Sequence, residues 1–216
     1  MQFATNQLNA SKNLENHSQV FFHESETFQC FEQSIINDLI TRNTSGKPLR
    51  IMVWGCGSGQ EAYSVAISMY RKAQIVNTLT YEILGIDKNP QAIDRARIGL
   101  YDEASFHSDV AQRAQQTYFK KTEDEWRIAP PIKSPVQFMS LDIYDNLSSL
   151  NKADIIFARY FLTHFTPTVK SVVLEKFSDL LNPKGYLILG RQESVLSLSS
   201  AYSPYDGNRG TYQKKD

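Results

Sequence analysis

The chain has 216 residues, 41% of them hydrophobic and 21% charged, with 23 Lys+Arg balancing 23 Asp+Glu. That length and apolar content suffice for one well-cored domain and exclude a disordered chain, while zero net charge removes the general attraction to nucleic acid or an anionic membrane surface. Two cysteines, Cys30 and Cys56, are too few for a disulfide scaffold or a zinc cluster, so no metal is expected; nor does any apolar run approach the ~20 residues that cross a bilayer.

The first 20 residues read as a polar lead-in without the layout of a secretion signal, which points to the cytoplasm. Over residues 24–41 the apolar positions Phe28, Phe31, Ile35, Ile36 and Leu39 fall at helical spacing. Thr44-Ser45-Gly46-Lys47-Pro48 breaks that run, and a short apolar strand follows over 49–54. The next helix carries Ala62, Val65, Ala66, Met69 and Tyr70 on one face; a second strand spans 81–86, and Pro90 opens a helix through Arg97. Residues 99–135 interrupt the alternation with a short helix over 110–119 and a polar piece around Trp126 and Pro130-Pro131. Strands over 136–141 and 154–158, a helix over 168–181 and a strand over 185–189 complete it, with Pro183-Lys184-Gly185 as a stop-and-turn before the last strand. Strands alternating with helices predict a doubly wound α/β fold, a parallel sheet covered on both faces. Residues 1–48 are expected to form a lead-in and a helix packed on a catalytic domain of residues 49–216, with 99–135 as a small insertion.

In such sheets ligands sit at the carboxyl ends of the strands. The first strand ends in Trp54-Gly55-Cys56-Gly57-Ser58-Gly59-Gln60-Glu61, where alternate glycines let the backbone bend and admit a ligand against the main chain. A plain strand-to-helix turn is the rival reading. Asp87 ends the second strand and is placed to accept ribose hydroxyls, unless it merely caps the next helix. Asp142 follows the third strand, where it either offers an adenine amino group an acceptor or stands as a solvated loop carboxylate. Arg159 directly follows the buried fourth strand, and a charge there faces a site. Gly57-x-Gly59-x-x-Ala62 also satisfies the Ala-ended dinucleotide fingerprint, which keeps NAD as a weaker alternative to S-adenosylmethionine.

These pieces, taken in order, resemble the CheR family of S-adenosylmethionine-dependent protein-glutamate methyltransferases. The matching stretches are Phe21-Phe22-His23-Glu24, Val53 to Ser64, Leu84-Gly85-Ile86-Asp87, Ala96-Arg97-Ile98-Gly99-Leu100-Tyr101, Ile155-Ile156-Phe157-Ala158-Arg159, and Gly185 to Gly190 with Glu193-Ser194. The resemblance implies a Rossmann-like class I methyltransferase sheet. It also implies a cofactor bed of Gly55, Cys56, Gly57, Gly59, Glu61, Asp87, Asp142 with Ile143, and Arg159 with Tyr160, joined by His17, Gln19 and His23 around the Phe-Phe pair. Arg159 and Tyr160 take the catalytic role. The cofactor is S-adenosyl-L-methionine, its product S-adenosyl-L-homocysteine, and the partner a protein acceptor carrying glutamate side chains. Other outcomes of the same scaffold are a small-molecule methyltransferase and a non-catalytic cofactor-binding module.

His23, Tyr160, Gln60, Asp142 and Arg191 stand where the family usually has Arg, Asn, Glu, Asn and His. The family's N-terminal helical domain is expected to be missing. Its small antiparallel subdomain is expected to shrink to a brief hairpin of Trp126-Arg127-Ile128 with Val136-Gln137-Phe138. An ionised carboxylate acceptor needs no general base, and Arg159→Ala is expected to lower turnover while leaving the fold intact.

Overall fold

A computed structural model describes residues 20–205 and 208–216, the side chain of His164 excepted. In chain order, a helical run comprises α1 (Ser25–Cys30), a π-helical turn (Phe31–Ile35) and α2 (Ile36–Arg42). Strand β1 (Leu49–Trp54) leads to α3 (Gln60–Ala73), and β2 (Tyr81–Asp87) to α4 (Pro90–Ile98). Residues 99–135 hold β3 (Leu100–Tyr101), α5 (Asp109–Tyr118), β4 (Phe119–Lys121), β5 (Trp126–Ile128) and α6 (Pro130–Lys133). Then come β6 (Val136–Ser140), β7 (Ala153–Phe157), α7 (Pro167–Leu180), β8 (Leu181–Ile188), β9 (Tyr202–Pro204) and β10 (Thr211–Lys214).

The central sheet has the order β6-β2-β1-β7-β8-β10-β9. Its first five strands are parallel, and β10 and β9 close one edge antiparallel. The doubly wound α/β expectation is thus borne out, with an antiparallel edge added. From β1 the chain winds outward to β2 and β6, then returns to β7 on the other side. That reversal opens a crevice between the ends of β1 and β7, where such sheets bind ligands.

Because successive side chains of a strand point to opposite faces, the sheet divides two cores. Ile51, Val53, Ile83, Ile155, Phe157, Tyr186 and Ile188 pack under the N-terminal helices and α3, whereas Met52, Trp54, Ile86, Ile156 and Leu187 pack under α7 through Val173, Leu174 and Phe177. Phe31 meets Phe157 edge-on at 5.2 Å, seating the N-terminal helices on the sheet. Local chemistry sets the helix starts. The Asn89 side chain accepts from the amides of Gln91 and Ala92 beside Pro90, and Ser108 accepts from Ala111 N. Among the described residues, no helix is long and apolar enough to cross a membrane.

Three expectations are corrected. Trp126–Ile128 does not pair with residues 136–138; it pairs antiparallel with Phe119–Lys121 and Leu100–Tyr101 in a separate three-stranded sheet. Residues 136–138 belong to β6, parallel to β2, because Gly85 leaves room for the Phe138 ring: a Cβ at Gly85 would stand 2.6 Å from it. Pro183-Lys184-Gly185 does not stop the chain between a helix and a strand. It forms a bulge inside β8, where the register moves from Ala153↔Leu181 to Ile155↔Tyr186 and Lys184 takes φ 58. Finally, β9 and β10 occupy a stretch in which no strand was expected.

Candidate active site

The turn after β1 is built from glycines at φ 69, 51 and 95 for Gly55, Gly57 and Gly59, a region that side chains rarely adopt. Gly59 also needs to be small, since a Cβ there would stand 3.0 Å from Ala96 Cβ and 3.1 Å from the Tyr101 hydroxyl. The loop is tied to β2. The amides of Gly55 and Cys56 donate to Ile86 O at 2.8 and 3.1 Å, and Gly57 N donates to Asp87 Oδ2 at 2.9 Å.

The tied loop borders a cavity of about 640 Å³. Gly55, Gly57, Asp87, Asp142 and Ile143 line it, as do Arg159 and Tyr160 from the end of β7. Asp87 accepts from Gly57 N through one oxygen and from Asn89 N, at 2.9 Å, through the other. The carboxylate is therefore fixed in orientation, yet each oxygen keeps a lone pair for a ligand hydroxyl. Asp142 is held in the same manner: its Oδ1 accepts from Tyr144 N at 3.1 Å, and its own amide donates to Asp145 Oδ2 at 2.8 Å. The Lys176 ammonium donates to Ile143 O at 2.6 Å and pins the next residue.

Arg159 is the centre of a buried ion knot. Its Nη1 donates to Glu61 Oε1 at 2.8 Å and its Nη2 to Glu24 Oε2 at 2.9 Å, with His23 Nδ1 3.2 Å from Nη2. Burial works against the guanidinium charge, but Glu61 and Glu24 outweigh it and hold Arg159 more firmly protonated than usual. The two carboxylates diverge. Burial pushes Glu61 above the ordinary range despite the pull of Arg159, whereas in Glu24 burial is outweighed by the Tyr160 hydroxyl and Arg159, and its pKa falls. The difference follows from Glu24 having a second strong donor, Tyr160 Oη, and being less deeply buried. Arg159 Nε is buried with no hydrogen-bond partner among the described residues.

Of the remaining expected cofactor residues, Cys56, Gly59, Glu61 and His23 do not line this cavity. Glu61 and His23 reach it through Arg159, and Gly59 shapes the loop. The Cys56 side chain is fully buried, its thiol pushed up by burial and by Asp87 and Glu61, and its amide is spent on Ile86 O. His17 and Gln19 lie outside the described residues. Arg159 is the internal counter-charge of two carboxylates, so its replacement bears on stability as well as on the cavity.

Sequence reasoning missed Glu24 and Glu193, and also Trp54 and Phe161, which line the cavity. Glu24 was visible as an acid beside the Phe-Phe pair, and Glu193 as an acid shortly after a buried strand; neither signal names a partner. A second hollow, about 750 Å³, shares Ser58 and Arg95 with the first. It is the larger, yet it lacks the buried guanidinium and the strand-end carboxylates.

Known proteins similar to this chain point to one family. The family described as CheR methyltransferase, SAM binding domain, matches residues 16–210. Chemotaxis protein methyltransferase Cher2 of Pseudomonas putida is 31% identical over 201 residues, covering 91% of this chain and 73% of that protein. Chemotaxis protein methyltransferase 1 of Pseudomonas aeruginosa is 32% identical over 187 residues, covering 85% of this chain and 68% of the other. Among solved structures, the plantazolicin methyltransferase BpumL in complex with SAH aligns with a TM-score of 0.44 at 16% identity, over 85% of this chain and 52% of that one.

Proposed function

The chain belongs to the CheR family of S-adenosylmethionine-dependent methyltransferases, and we propose that its acceptor is a glutamate side chain of a chemotaxis receptor, methylated at the cavity between Asp87 and Arg159. One observation carries the placement of the reaction. A single guanidinium faces two carboxylates, Glu24 and Glu61, and lines a cavity that Asp87 and Asp142 also line.

The residues present fit the cofactor. Asp87 offers free lone pairs for ribose hydroxyls, and Asp142 with Ile143 offers an acceptor and an apolar surface for a base. Around Arg159 two carboxylates, Glu24 and Glu61, face one guanidinium, a charge balance suited to a cationic group. When bound, S-adenosylmethionine supplies a methyl group activated by a sulfonium. The acceptor carboxylate is ionised at neutral pH, so no side chain has a proton to remove. The chain's task is to bind, align and exclude water, and alignment of this kind is worth ~7–11 kcal/mol of a barrier. Arg159 and Tyr160 act at the end of the cavity formed by β7, held there by Glu61 and Glu24.

The test is incubation with methyl-labelled S-adenosylmethionine and cytoplasmic fragments of chemotaxis receptors. The expected product is a protein methyl ester that releases methanol at alkaline pH. A base-stable protein product, or label found only on small molecules, would overturn the assigned acceptor.

A further inference from the structure

We propose that Glu193 is a positioning residue for methyl transfer: its buried carboxylate locks the Arg159–Tyr160 turn into the conformation that presents both residues to the cofactor cavity. The inference rests on that cavity holding S-adenosylmethionine, and is independent of which acceptor is used.

Tyr160 sits at φ 60, a left-handed conformation unfavourable for a residue with a Cβ. Something must hold it there. Two devices from the exit of β8 converge on it. Glu193 Oε2 accepts from Tyr160 N at 2.6 Å and from Gly190 N at 2.9 Å, so one oxygen bridges the turns that follow β7 and β8. Gly190 supplies the space: a Cβ there would stand 2.8 Å from Tyr160 Cε1 and 2.9 Å from Cζ. The Glu193 amide donates to Gly190 O at 2.9 Å, which keeps the clamp itself tight.

With the backbone so fixed, the Tyr160 hydroxyl donates to Glu24, and the ring lies 5.9 Å from the Arg159 guanidinium. A change of φ at Tyr160 swings the ring off Gly190 and loosens the contacts of Arg159 with Glu24. Burial of Glu193 raises its pKa even though the surrounding backbone amides pull it down. Space filling alone does not call for a carboxylate in such a place, since an apolar side chain fills it without that burial penalty. Backbone N–H groups converging on it, those of Tyr160 and Gly190 among them, do call for one.

The test measures S-adenosylhomocysteine affinity by calorimetry, at a temperature where circular dichroism shows each variant folded. Glu193→Ala is expected to weaken binding at least about tenfold. Glu193→Gln, whose amide oxygen still accepts from both N–H groups, is expected to restore it to within about threefold of wild type. Gly190→Ala pushes on the same ring and is expected to weaken binding, with the double variant no worse than the more affected single one. Should Glu193→Ala fail to fold, the Glu193→Gln and Gly190→Ala arms decide.

Wild-type affinity in folded Glu193→Ala or in Gly190→Ala, equal weakness of the Ala and Gln variants, or full additivity in the double variant would overturn the role of Glu193. Failure of the underlying reading looks different: wild type then binds no S-adenosylhomocysteine, or Asp87→Ala binds it as tightly as wild type.

Discussion

Replacing Arg159 by methionine removes the guanidinium while keeping much of the side-chain volume. Glu61 and Glu24, with side chains 8% and 15% exposed, then lose their shared counter-charge. Glu24 retains the Tyr160 hydroxyl and, at 3.4 Å, the Arg191 amide, so the penalty falls chiefly on Glu61. Stranding one member of a buried ion pair costs about 3–5 kcal/mol. In a domain of this size each kcal/mol moves the melting temperature by roughly 2–4 °C, so the expected fall is on the order of 6–20 °C at neutral pH.

The sign of the pH dependence follows from Glu61. Burial already raises its folded pKa above the unfolded value, and loss of Arg159 raises it further. A raised folded pKa means that the folded state binds more protons. The variant is therefore most stable below the unfolded carboxylate pKa and loses stability as pH rises through the folded value. Thermal melts of both proteins at pH 5 and pH 8 should show a wider gap at the higher pH. A shift below about 2 °C at pH 8, less than the effect of ~1 kcal/mol, or an equal gap at the two pH values, would refute the buried-knot reasoning.

Asp87→Ala should weaken S-adenosylhomocysteine binding at least about tenfold by calorimetry, since it removes the carboxylate that faces the cavity from the end of β2. Gly59→Ala should destabilise more than Gly46→Ala in denaturant titrations. Both glycines have positive φ and so share a backbone cost of about 1–2 kcal/mol, but only Gly59 has a Cβ position crowded at 3.0 Å, while Gly46 has nothing within 4 Å. Ligand binding should change tryptophan fluorescence through Trp54, which lines the cavity. The change should persist in Trp126→Phe and vanish in Trp54→Phe.

The parallel strands were legible because β1 and β2 are apolar runs with local boundaries, the first closing on glycine and the second leading into the Asn89-Pro90 helix start. The glycine turn, Asp87 and Arg159 were readable for a related reason: each directly follows a recognisable strand. What escaped depends on contacts distant along the chain. Glu24 gains its role from Arg159, 135 positions away, and Glu193 from the left-handed Tyr160. The hairpin of β9 and β10 closes the sheet through Tyr202 and Tyr212, aromatic residues set in a polar stretch with no clear alternation. The β8 bulge has the composition of a turn, and only pairing on its flanks with β7 keeps it within the sheet.

The most direct test is the crystal structure of the protein with S-adenosylhomocysteine. The ligand should occupy the cavity beside the Gly55–Gly59 turn, with ribose hydroxyls on Asp87 and the base next to Asp142 and Ile143. Density in the neighbouring hollow walled by Tyr101 and His107, with the Asp87 cavity left vacant, would contradict the account.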